Sequence, residues 1–78
     1  MPEEGAERSV EIRGEMIRLG QLIQFAGIVD SGVDARRLLE EGGVTVNGEP
    51  EARRGRQLRR GDLVSVRSED VSEDVRIG

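Results

Sequence analysis

Any chemistry in this chain has to come from arginines and carboxylates. Its 78 residues contain no cysteine and no histidine, and all 12 basic side chains are arginine, set against 16 acids. Disulfides, thiolate or imidazole metal ligands, and Cys- or His-based nucleophilic catalysis are excluded by that inventory. Arginine's planar fork grips a phosphate in a bidentate way, whereas lysine acts as a point charge. A GC-rich coding sequence would also replace lysine with arginine, so position carries more information than number. Seven arginines concentrate in one stretch: Arg36 and Arg37, then Arg53, Arg54 and Arg56, then Arg59 and Arg60. Between residues 36 and 60 they outnumber the acids by three, in a chain whose net charge is -4. Gly55 interrupts the densest run and lets backbone amides as well as guanidinium groups approach phosphate oxygens. This pattern suits phosphate contact better than base reading.

Blander explanations exist for the same residues. Arg36 and Arg37 have Glu40 and Glu41 four residues on, pairs worth about 0.3–0.5 kcal/mol on a solvated helix face and too weak to prevent exchange for a phosphate. The 53–60 run is otherwise a solvated charged loop. Adjacent acids such as Glu40 and Glu41, or Glu69 and Asp70, could in principle hold magnesium, but no second cluster converges on them in the sequence, so solvated surface is the preferred reading. No cofactor, no metal and no enzymatic activity are expected. Phe25 is the only aromatic residue and falls among apolar helix positions, where core packing is expected. A chain without aromatic platforms is poorly equipped to bind single strands by stacking. A nucleic-acid partner would then be a structured RNA, recognised by shape and backbone.

These residues need elements to position them. Leu19, Leu22, Ile23 and Ala26 recur at i, i+3, i+4 and i+7 and predict a helix over 19–26, ended by Gly27, with Ile28 and Val29 folding back onto its apolar face. Ser31 three residues before Asp34, just ahead of Ala35, Leu38 and Leu39, predicts the capped start of a second helix that Gly42 and Gly43 stop. Val44 and Val46 alternate up to Asn47-Gly48, a strong hairpin signal. Pro50 marks the return as an edge or irregular strand. Gly61-Asp62 turns into a last strand over 63–67, whose Val64 and Val66 face the same side as Val44 and Val46. The fold class expected is α+β: two short helices packed on a small antiparallel β-sheet with an Asn-Gly hairpin. Residues 1–14 and 69–78 read as a flexible acidic arm and an acidic tail around a domain spanning 15–68, with a charge of -3 over 1–15 and again over 69–78; short extended pieces at 10–12 and 75–77 are the only order expected in them. No apolar stretch approaches the roughly 18 residues that a membrane span needs. The expectation is a cytoplasmic monomer without a membrane partner.

The ordered residues resemble the S-four domain, the RNA-binding module named after ribosomal small-subunit protein four and shared by some pseudouridine synthases, a tyrosyl-tRNA synthetase appendage and heat-shock ribosome factors. The resemblance lies in order and spacing: Ala35-Arg36-Arg37-Leu38-Leu39, Gly43-Val44-Thr45-Val46-Asn47-Gly48, Leu58, Gly61-Asp62 and Val64. With the preceding helix it covers residues 16–67. Ser31-Gly32 stands where the general pattern has Ser-Arg, and Arg54-Gly55 where it often has Pro-Ser. Both departures resemble the small stand-alone bacterial subgroup typified by YbcJ and YaaA. The resemblance implies binding to ribosomal or transfer RNA, with the ribosome or a ribosome-associated protein as a further partner. It also implies an RNA face made of the second helix and the loop and strand after it. That assigns contacts to Arg36, Arg37, Asn47, Arg53, Arg54, Arg56, Arg59 and Arg60, with the cluster around Gly55 replacing the arginine absent at Gly32; Asn47 also suits the turn itself. The rival functions are a protein-interaction adaptor in ribosome assembly or replication, whose arginines meet an acidic protein surface, a DNA-binding module, and a carboxylate–magnesium enzyme.

Overall fold

The computed structural model describes residues 7–78; the first six residues of the expected arm lie outside that range. Helix α1 (Leu19–Phe25) turns Leu19, Leu22 and Ile23 fully inward, with Ala26 beside them. The chain then folds back as expected: the Ile28 amide donates to the Ile23 carbonyl at 3.0 Å, and Ile28 and Val29 pack against the core. Helix α2 (Gly32–Glu40) starts where the capping pattern puts it. The Ser31 hydroxyl accepts the Asp34 amide at 3.2 Å, satisfying one of the first-turn donors that have no partner inside the helix. Ala35, Leu38 and Leu39 are buried. Gly42 then leaves the helix at φ +80°, a left-handed turn that a Cβ would penalise.

Strand β3 (Val44–Val46) and the two-residue β4 (Glu49–Pro50) form the hairpin. Asn47 and Gly48 adopt φ of 52° and 85°, the paired positive angles of a primed turn that matches strand twist. On its other side β3 pairs antiparallel with β6 (Leu63–Arg67), setting Val44 opposite Val66 and Val46 opposite Val64. All four valines are buried in one cluster with both helices. Pro50 lies on an edge strand, as its missing amide requires.

Two expectations need correction. The fold class holds, but the sheet is mixed. Strand β7 (Ser72–Ile77) pairs antiparallel with β6, and β1 (Glu7–Val10) pairs parallel with β7, giving the order β1-β7-β6-β3-β4. A separate two-stranded ladder joins β2 (Ile17–Arg18) to β5 (Gln57–Leu58). Residues 7–10 of the arm and most of the tail are therefore sheet, beyond the short extended pieces expected at each end. Val75 and Ile77 are as buried as any helix residue. The acids that make each end look repulsive meet arginines across the ladder. Arg76 grips Glu7 with two hydrogen bonds of 2.8 and 3.0 Å, Arg8 pairs with Glu73 at 3.1 Å, and Arg67 reaches Asp74 at 2.9 Å. The Arg8 guanidinium also donates to the Ala26 carbonyl, tying β1 to the end of α1.

Candidate nucleic-acid interface

The loop over residues 51–56, between β4 and β5, is built around one carboxylate. Glu51 directs its side chain inward, only 8% exposed. It accepts five hydrogen bonds: from the Ala52 and Arg53 amides at 3.1 Å, from Arg53 Nε and Nη2 at 3.0 Å, and from Arg56 Nη1 at 2.9 Å. The Arg53 side chain, then its amide, then Arg56 hold the Glu51 carboxyl far below the usual carboxylate range. A buried acceptor this fully satisfied fixes the loop's shape. The loop also closes the start of α1: the Leu19 amide donates to the Arg56 carbonyl at 2.8 Å and the Gly20 amide to the Arg54 carbonyl at 2.9 Å. A Cβ on Gly20 would lie 3.3 Å from the Arg54 Cβ, so the glycine lets the loop seat directly on the helix.

This seating creates a surface. A groove of about 300 Å³ runs between α1, the start of α2 and the loop, floored by Gly20, Gly32, Ala35 and Gly55 and flanked by Arg18 and Arg54. On the other side of Gly55 lies a second depression, walled by Arg53, Arg56 and Gln57. Neither is lined by a carboxylate, although the chain has more acids than bases. Among the described residues Arg18 and Arg54 have no acidic partner within 4 Å, and neither do Arg13, Arg37, Arg59 or Arg60. A cation beside an open, acid-free concavity is available to an anionic ligand.

The arginines expected to form one patch fall into three groups. Arg53, Arg54 and Arg56 share the loop. Arg36 stands four residues beyond Gly32, on the same side of α2, where its pair with Glu40 is loose at 3.8 Å and highly exposed. Arg37 follows one residue later and so points about 100° around the helix from Arg36. Arg59 and Arg60 lie past β5, near the end of the sheet where Asn47 meets Asp62, whereas the loop starts at the opposite end of β3, with the Glu51 amide donating to the Val44 carbonyl. Arg60 is occupied with the Ile12 carbonyl at 3.1 Å. Asn47 serves architecture at both ends of its amide: Nδ2 donates to Asp62 at 3.0 Å and Oδ1 accepts the Leu63 amide at 2.9 Å. Despite the cost of burial, the Arg59 amide and the Asn47 side chain hold the Asp62 carboxyl below its ordinary value.

Arg18 was missed by sequence reasoning because it stands far along the chain from the basic cluster. The pairing of Arg18 with Gln57 in the small ladder, together with the seating of the loop on the start of α1, brings it to Gly55. Phe25 also departs from expectation: it is 64% exposed and outside the core. Among the described residues no three carboxylates converge on a common point, and no helix is long and apolar enough to cross a membrane.

Residues 10–73 match the family model described as the S4 domain. A probable ribosome maturation protein, RlbA, from Bacillus subtilis is 46% identical over 57 residues, a match covering 73% of this chain and 80% of that one. A tyrosine–tRNA ligase from Burkholderia lata is 36% identical over 56 residues, which are 72% of this chain but only 14% of the ligase. Among solved structures, heat shock protein 15 of Vibrio cholerae, described as trimeric, superposes with a TM-score of 0.65 at 23% identity, covering 77% of this chain and 60% of its own. That likeness is one of fold.

Proposed function

The chain belongs to the S4 domain family, and on that premise we propose that it is a non-catalytic, cytoplasmic RNA-binding module that docks as a monomer on structured RNA. Ribosomal RNA is the favoured target, since the Bacillus subtilis relative is named for ribosome maturation; transfer RNA is the other, since a tRNA ligase carries a similar segment. One observation carries the reading: the adjoining depressions around Gly55 present Arg18, Arg53, Arg54 and Arg56 without a lining carboxylate, in a chain of net charge -4. Arg18 and Arg54 are the primary phosphate contacts. Arg53 and Arg56 are held in place by Glu51 and offer their remaining donors. Arg36 extends the face along α2, and Arg37, Arg59 and Arg60 contribute long-range attraction from its margins. The role of Asn47 is to shape the turn.

The test is binding to an RNA stem-loop, its DNA counterpart and an unstructured strand over a salt series. Changing Arg53 and Arg56 together would leave Glu51 buried with two backbone donors but no counter-charge, so the informative variant is Arg18→Ala with Arg54→Ala, which leaves that cage intact. Binding that prefers RNA, with a log–log salt slope flattened by about 1.5 in the double variant, is expected, because each phosphate contact contributes roughly 0.7–0.9 to the slope. An unchanged slope refutes the assignment of these two arginines. No binding to any of the three at low salt refutes the RNA reading and shifts the face to an acidic protein partner.

A further inference from the structure

The only aromatic side chain of the chain is on its surface. Phe25 is 64% exposed at the end of α1 and borders a groove of about 490 Å³ with Met16 and Ile17 on its apolar wall and Arg13 at its rim. That volume falls within the roughly 300–1,000 Å³ typical of small-molecule sites. Gln21, Gln24 and Phe25 recur at i, i+3 and i+4 and so share one side of α1. Gln21 and Gln24 line both this groove and the one between Arg18 and Arg54, so the two concavities adjoin along α1. No carboxylate lines either of them. Val33, the other large exposed apolar residue among the described residues, borders neither.

We propose that the Phe25 groove receives an unpaired nucleobase of the same RNA whose phosphates lie on Arg18 and Arg54; the inference rests on the RNA reading above. A base presents an apolar π face, an edge of mixed donors and acceptors, and a flanking phosphate. The groove meets each in turn: the Phe25 ring for stacking, carboxamides that both donate and accept, and Arg13 and Arg18 for the adjoining phosphates. Gln24 is suited to the edge contact because its carboxamide has no protein partner among the described residues, whereas Gln21 accepts a 3.3 Å bond from the Arg18 amide. An apolar protein side chain would use the wall but not the carboxamides or the cationic rim. Structured RNA is thus bound at a junction, with helical phosphates on the arginine face and a loop or bulge base at Phe25.

The experiment compares a stem-loop with a blunt duplex of equal length, using the full chain and its Phe25→Ala and Phe25→Tyr variants. With no Tyr, Trp or His in the sequence, ring-labelled Phe25 supplies the protein's whole aromatic NMR signature without ambiguity. Stem-loop affinity roughly 5- to 100-fold weaker in the alanine variant, recovery in the tyrosine variant, unchanged duplex affinity, and intermolecular NOEs from the ring to base protons support the proposal. If Phe25→Ala binds the stem-loop as tightly as the parent and the ring shows no shift, the proposal is overturned while RNA binding itself stands. A free protein whose sedimentation falls on Phe25→Ala also overturns it, because the ring is then covered by a second copy. Failure of the parent chain to bind either RNA removes the RNA reading and this inference together.

Discussion

Gly43→Ala should be among the most damaging single-methyl additions available in this chain. A Cβ at Gly43 would lie 2.5 Å from the Arg67 carbonyl oxygen, nearly 1 Å inside a normal carbon–oxygen contact of about 3.3 Å. The atom it meets is backbone, so no side chain can swing aside. The strands are also locked there by the Arg67 amide donating to the Gly43 carbonyl at 2.8 Å, so separation sacrifices that bond. Overpacking of this kind costs about 1–3 kcal/mol, and a weakened backbone hydrogen bond adds about 1 kcal/mol. Restricting the unfolded chain returns about 0.4–1 kcal/mol. The net destabilisation is about 1–3.5 kcal/mol, a large share of the roughly 3–5 kcal/mol that so small a core supplies. At roughly 4–8 °C per kcal/mol, Tm falls by at least about 4 °C. Far-UV circular dichroism during urea and thermal unfolding is the assay, because the chain has no tryptophan to follow. Gly42→Ala is the control: it has open space but φ +80°, and should lose about 1 kcal/mol from backbone strain alone. A Gly43→Ala midpoint within error of the parent would refute the close-approach argument.

Other expected outcomes test different parts of the structure. Ile77→Ala should cost about 2–5 kcal/mol, where a dispensable acidic tail would register nothing by the same unfolding assay. Asn47→Ala removes two side-chain hydrogen bonds and leaves φ +52° on an alanine, for about 2–4 kcal/mol, while Asn47→Gly relieves the backbone part and should be milder by about 1 kcal/mol; neither should change RNA affinity per folded molecule. Glu7, Glu51, Asp62 and Asp74 all have carboxyl pKa values lowered in the fold. Their stabilisation is therefore complete above the unfolded range near pH 4 and is lost as pH falls toward the native values. Stability should be nearly flat from pH 7 to 5 and drop below about pH 4. In Glu51→Gln the deficit at pH 7 should narrow toward the parent on acidification, as measured by urea midpoints across pH.

Local signals in the sequence located the central elements because each depends on near neighbours. The α1 stripe, the Ser31 cap and the Asn47-Gly48 turn are encoded within a few residues of themselves, and the structure follows them. The ends depart from expectation for a physical reason. Charge counted along the chain makes 69–78 a repulsive tail, but strand register sets Glu73 and Asp74 beside Arg8 and Arg67, contacts that no local window contains. The candidate interface divides in the same way. The Arg53–Arg56 cluster was legible as composition, while its organisation around Glu51 and its completion by Arg18 come from the contact of the loop with α1. The apolar neighbours of Phe25 in the sequence point it inward. The wheel of α1 is already filled on its core side by Leu19, Leu22, Ile23 and Ala26, and a residue two places from Ile23 is carried round toward solvent.

The parallel pairing of β1 with β7 has a kinetic consequence. Glu7 aligns with Asp74 and Val10 with Ile77, so the sheet's outer ladder closes a loop of nearly the entire described chain, at an entropic cost of about 3–4 kcal/mol. The two helices and the β3–β4 hairpin are joined by contacts close in sequence and can pack on one another before the outer ladder closes. A nascent chain halted before residue 72 would expose the β6 edge and lack the buried Val75 and Ile77, leaving a sticky half-sheet. Completion therefore waits on the last strand, and the α1–loop contact that shapes the arginine face can assemble before the domain as a whole is stable.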